Sequence, residues 1–162
     1  MKNVFYILLI MGLHSCFSYS LVDGSIDAKT FSVSIFDEQA ANAPAGYGGQ
    51  FTDYLKNYII GRTKLKLKNL DADIQISGKI VGYNTAPLAV QSDENAALSR
   101  LTVTMFVSVI NNIKPEQSFE QNFSNFSDFN SGDDLSSVET QLLEDINRKI
   151  AQDIVNKLSS NW

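Results

Sequence analysis

Three lysines, Lys64, Lys66 and Lys68, alternate with leucines, and Arg62 stands in line with them. On an extended strand, residues two apart share a face. The ammonium groups would then form a row able to contact several phosphate oxygens. A solvated face, or a sheet edge guarded against aggregation by lysine, suits the same pattern. Arg100 opens the most regular alternating run in the chain. Its guanidinium could grip a phosphate or a carboxylate with two parallel hydrogen bonds; a plain strand-end surface position fits it equally. Phe119, Phe123, Phe126 and Phe129 crowd one segment. If all faced inward they would be core, but their spacing cannot keep all four on one strand face. Phe126 and Phe129 are therefore candidate partner contacts. The carboxylate pairs Asp71 with Asp73 and Asp93 with Glu94 lack the spacing of a cation-binding loop and read as solvated charges.

Other chemistry is excluded by composition. The one histidine, His14, and the one cysteine, Cys16, both lie near the start of the chain. Past them no Ser-His-Asp or Cys-His nucleophile can be assembled, and no histidine-ligated metal or cysteine cluster. One cysteine also rules out an internal disulfide. A catalyst would have to use carboxylates, lysine or tyrosine, as glycosidases use a carboxylate pair, and no such convergent pair is legible. The expectation is a non-enzyme without cofactor or metal. Without Lys2, 12 basic and 18 acidic residues remain, a formal charge of −6. That balance argues against a nucleic-acid partner, which needs a net basic face.

Cys16 ends a hydrophobic leader. Lys2 supplies a positive start, and Val4 to Leu13 is apolar except for Gly12. A basic start, an apolar run of roughly ten residues and a small residue before the cut read as an export signal, too short for a membrane span. The sequence Leu13-His14-Ser15-Cys16 resembles the lipobox of bacterial lipoproteins, with polar His14 where a small or apolar residue is usual. In such proteins the cysteine is acylated and becomes the first residue of the mature chain. The other reading is a secreted protein cut nearby, with an ordinary leftover thiol. Two or more acyl chains hold a protein on a membrane, at about 0.8 kcal/mol per buried methylene. The expected organisation is a signal peptide over 1–15, an acylated tether over 16–27 and one domain over 28–162.

Hydrophobic periodicity places the elements. Phe31, Val33 and Ile35 alternate with serines, predicting a half-buried strand over 30–36. Residues 37–49 read as loop. Phe51, Tyr54, Leu55, Tyr58 and Ile59 have helical spacing, with Gly61 as the expected stop. Arg62 to Lys68 alternates, with Leu65 and Leu67 inward. Ile74, Ile76 and Ile80 follow by twos, and Gly78 and Gly82 on that face suggest close approach of a helix or a bend. Residues 84–98 read as a connection. Leu101 to Val109 is the clearest strand, a turn covers 111–116, and 119–123 is its partner, followed by a loop over 128–134. Ser136 and Glu139 have capping-box spacing. Leu135, Val138, Leu142, Ile146, Ile150, Ile154 and Leu158 then mark a long amphipathic helix. Runs of strands with separate helices predict an α+β fold: a two-layer sandwich of about four mainly antiparallel strands with two helices on one face.

Taken together, these segments resemble the short form of the LptE family of lipopolysaccharide-assembly lipoproteins. The resemblance covers nearly the whole chain after the leader and rests on order and spacing. It is carried by the lipobox, Lys29 to Val33, Gly78 to Tyr83, Ser99 to Val103, the aromatic run Phe119 to Phe129 and a closing helix ending at Trp162. It implies a non-catalytic outer-membrane lipoprotein anchored at Cys16; Phe17 to Ser20 carries no acidic run, which points to the periplasmic face. Members of that family sit in the lumen of an LptD β-barrel, support its assembly, plug it and contact lipopolysaccharide. On that view Lys64, Lys66, Lys68 and Arg100 are candidate lipopolysaccharide contacts, and Phe126 and Phe129 candidate barrel contacts. The alternative is a lipoprotein regulator docking a periplasmic enzyme or transporter.

Overall fold

The computed structural model describes residues 26–88 and 97–160. The signal peptide, Cys16, most of the tether, Asp93 with Glu94, and Trp162 lie outside the described residues.

Six strands, two α-helices and a single 3-10 turn (Pro115–Gln117) form the described part. Strand β1 (Thr30–Val33) and the two-residue β2 (Asp37–Glu38) precede helix α1 (Tyr47–Arg62). Then come β3 (Lys66–Leu67), two long strands β4 (Ile74–Pro87) and β5 (Leu98–Asn111), β6 (Phe119–Asn130) and helix α2 (Leu135–Ser160). The sheet order is β3-β1-β4-β5-β6, with β2 also on β4. This corrects the expectation of about four mainly antiparallel strands: the sheet is mixed. β1 runs parallel to both β3 and β4, and β2 parallel to β4, while β4, β5 and β6 form an antiparallel meander. Parallel neighbours need a crossover, and α1 supplies the one between β1 and β3. Alternation reports which face a side chain takes but not the direction of the neighbouring strand.

One face of the sheet carries the core. Leu101, Val103, Met105, Val107 and Val109 of β5 are buried against Ile74, Ile76 and Ile80 of β4 and Phe31 of β1. Phe51, Leu55 and Ile59 of α1 and Leu142, Ile146, Ile150, Ile154 and Leu158 of α2 close over them. The other face presents Thr102, Thr104, Ser108, Glu120 and Ser124, joined across strands by Thr104–Ser124 and Ser108–Glu120 hydrogen bonds.

Several boundaries differ from the sequence reading. Helix α1 begins at Tyr47, inside the expected loop, behind Gly46 in the left-handed region at φ 81°. It runs through Gly61 and ends where the Thr63 hydroxyl and amide both donate to the Ile59 carbonyl. The chain leaves the helix at Thr63, whose backbone is extended, two residues past the expected glycine stop. β4 runs through 84–87 and β6 to Asn130, because each is paired along its length with β5. The capping box does not form. Asp134 takes the Ser136 amide and hydroxyl, while Glu139 accepts a hydrogen bond from the Tyr83 hydroxyl.

Gly78 and Gly82 do not share a face. The register shifts between Ile80 and Gly82, so Gly78 stands opposite Val107 on the core side and Gly82 opposite Thr104 on the outer side. A bulge adds one residue to one strand and reverses the alternation beyond it. What approaches Gly78 is not a helix but a ring from the connection between β1 and β2: a Cβ there would lie 2.3 Å from the Phe36 ring.

Candidate functional site

The lysine row is on the far edge of the sheet. Regular pairing there is confined to Lys66 and Leu67, opposite Thr30 and Phe31. Arg62 belongs to α1 instead. Lys64, Lys66 and Lys68 are all exposed. Leu65 is buried, but Leu67 remains 43% exposed, because among the described residues no strand pairs β3 on its outer side. Lys68 turns its ammonium to the Asp71 carbonyl at 2.9 Å. One leucine, not two, therefore holds the strand to the core.

Arg100 is three strands across the sheet, on β5 beside the β6 edge. The register places it opposite Asp128, and its Nε and an Nη bond both carboxylate oxygens at 2.7 and 2.9 Å. The arginine lowers the Asp128 carboxyl below the usual carboxylate range, mainly through this hydrogen bonding, and is itself raised in return. The guanidinium carbon also lies 3.5 Å from the Phe126 ring centre, a cation–π contact. The structure thus separates Arg100 from the lysine row and gives it an internal carboxylate partner.

The four phenylalanines divide as period two requires. Phe123 is buried, and Phe119 and Phe129 pack half-buried against the core. Phe126 points to the outer face, 41% exposed, between Arg100 and the Lys149 ammonium at 5.6 Å. Lys149 also donates to the Phe126 carbonyl at 2.8 Å and pairs with Asp145 at 2.6 Å. Its hydrogen bond to Asp145 lowers that carboxyl. Asp153 accepts from Asn125 at 2.7 Å. Helix α2 thereby lines the outer edge of β6, occupying part of a backbone row that would otherwise template another strand.

Two polar roles were not legible in the sequence. Asp73 is not a solvated loop charge. Its carboxylate accepts the Lys29 and Thr30 amides at 2.8 and 2.9 Å, which lowers its pKa. Asn147 breaks the apolar stripe of α2 and accepts a hydrogen bond from buried Tyr47 at 2.6 Å. A polar residue on a buried helical face was the available signal for that pair. Among the described residues no cluster of His, Cys, Asp or Glu could hold a metal ion, and no helix is long and apolar enough to cross a membrane.

A family model described as LptE, lipopolysaccharide-assembly, matches residues 28–158. The chain belongs to the LptE family. Among solved structures it is similar to a minor lipoprotein of Acinetobacter baumannii, at 14% identity and TM-score 0.54 over 83% of this chain and 94% of that one. A hypothetical protein of Chlamydia trachomatis aligns at 8% identity and TM-score 0.56 over 83% and 97%. A Xanthomonas campestris protein aligns at 10% identity and TM-score 0.58 over 79% and 82%. At these identities the likeness shows a shared fold. No curated protein sequence matches it.

Proposed function

We propose that this LptE-family protein is a non-catalytic outer-membrane lipoprotein that seats in the lumen of an LptD-like β-barrel, supports its assembly and assists transport of lipopolysaccharide to the outer leaflet. The family match over residues 28–158 carries the reading. Cys16 is the proposed acylation site, and the mature chain faces the periplasm. Lys64, Lys66 and Lys68 are the proposed contacts to lipopolysaccharide phosphates, since their ammonium groups lie on an exposed edge. Arg100 is a weaker candidate because Asp128 already occupies its fork. Of the two phenylalanines, Phe126 has the face to offer a barrel wall.

The test is affinity purification of the tagged protein from detergent-solubilised envelopes. A lumen plug buries a large surface and should bring down a large β-barrel through mild detergent. Recovery of a periplasmic enzyme or transporter in its place would support the regulator reading. In the same cells Cys16→Ala should leave the membrane fraction or stall in processing, and wild-type fractionation of this variant would remove the anchor.

A further inference from the structure

Leu70 is 77% exposed, the highest value among the exposed large apolar side chains of the described residues, and Ile113 is 54% exposed. They lie on two neighbouring loops at one end of the sheet, joined by the Asn112 side-chain amide donating to the Ala72 carbonyl at 2.8 Å. Neither loop is slack. Asp71 takes the left-handed region at φ 49°, and Lys68 donates to its carbonyl. The Asn112 amide donates to the Asp73 carbonyl, and the Asn111 carboxamide accepts the Ile113 and Lys114 amides. Apolar tips on pinned loops are held ready for a partner at little ordering cost.

The same end is where the chain enters the domain. Asp27 pairs with Lys114, and Lys29 and Thr30 are tied to Asp73. Nine residues lie between Cys16 and Ile26, ten Cα steps that span at most about 35 Å when fully extended. An acylated Cys16 therefore keeps this end within reach of the leaflet and raises the effective concentration of even a weak second contact. Of the local carboxylates, Asp27 is matched by Lys114 and Asp73 by two amides. Asp71 and Glu116 stand at the rim with Lys29 and Lys68.

We propose that Leu70 and Ile113 form a second membrane contact, which seats the tether end of the domain in the headgroup zone of the phospholipid leaflet holding the acyl chains. The apolar tips enter the acyl boundary, and Lys29 reaches headgroup phosphates. The contact rests on the anchor in the reading above and adds an orientation to it: β5 stands away from the leaflet, with Lys64, Lys66 and Lys68 on the edge left for lipopolysaccharide.

The full-length protein purified from membranes tests this after reconstitution in phosphatidylethanolamine–phosphatidylglycerol vesicles. Leu70→Cys, Ile113→Cys and, at the opposite end of the sheet, Ser131→Cys each receive one fluorophore, and spin-labelled lipids serve as quenchers. Circular dichroism confirms the fold. Quenching should be several-fold stronger at positions 70 and 113 than at 131. Equal quenching at all three positions, or none at 70 and 113, overturns the proposal, as does cross-linking of position 70 to the barrel without lipid quenching. The mass of the same samples reports acylation. An acylated chain that retains its barrel but shows no end-to-end difference removes the seating alone. An unacylated chain without quenching removes the anchor and the seating together.

Discussion

Tyr47 and Asn147 join the two helices through a hydrogen bond inside the apolar core: the phenol donates to the carboxamide oxygen at 2.6 Å, across 100 residues of sequence. Burial pushes the Tyr47 phenol well above its ordinary range, so the donor keeps its proton at any pH the protein meets. Tyr47→Phe should destabilise by about 1–3 kcal/mol, because it leaves a buried carboxamide oxygen without a donor. Adding Asn147→Leu should restore part of that loss. Urea unfolding of the two single variants and the double variant measures the coupling. Strictly additive losses would deny the bond its role.

Gly78 and Gly82 should respond differently to alanine. At Gly78 the new methyl would stand 2.3 Å from the Phe36 ring and 2.6 Å from the Phe106 carbonyl. Gly78→Ala should cost about 1–3 kcal/mol as overpacking. At Gly82 the nearest atom is the Thr104 Cβ at 3.2 Å, on the open face. Gly82→Ala should be the milder change. Thermal unfolding of the two variants gives the order.

Acid should loosen the β5–β6 edge. The Asp128 carboxyl is held low by Arg100, and Asp145 is held low by Lys149. A carboxyl lowered on folding adds stability that is complete above its unfolded pKa and is lost as pH falls through the folded one. Asp128→Asn should lower stability at neutral pH and flatten its decline into acid. Urea midpoints across that range check the sign. A steeper acid decline in the variant would contradict it.

Replacing Lys64, Lys66 and Lys68 by glutamate should weaken lipopolysaccharide binding severalfold and leave the fold intact, since all three are exposed and Leu65 still holds the strand. Wild-type binding should fall with added salt. A folded triple variant that binds at wild-type strength would reduce the row to a solvated edge.

The long amphipathic helix and the alternating core of β5 were legible because burial on one face imposes a period on side chains along a single segment. Phe129, offered with Phe126 as a partner contact, packs against the core instead, because β6 continues to Asn130 and keeps its alternation. The family was legible from the order of such segments. Period carries no information about a neighbour's direction, so the parallel pairing of β1 with β3 and β4 was decided only when α1 crossed over the sheet. Nor does it locate a bulge, which moved Gly82 to the other face. The pairing of Arg100 with Asp128, of Asp73 with the Lys29 and Thr30 amides, and of Tyr47 with Asn147 also belongs to the tertiary structure. Each joins residues 28 or more positions apart, and a hydrogen bond depends on a register and packing distance that local sequence does not encode.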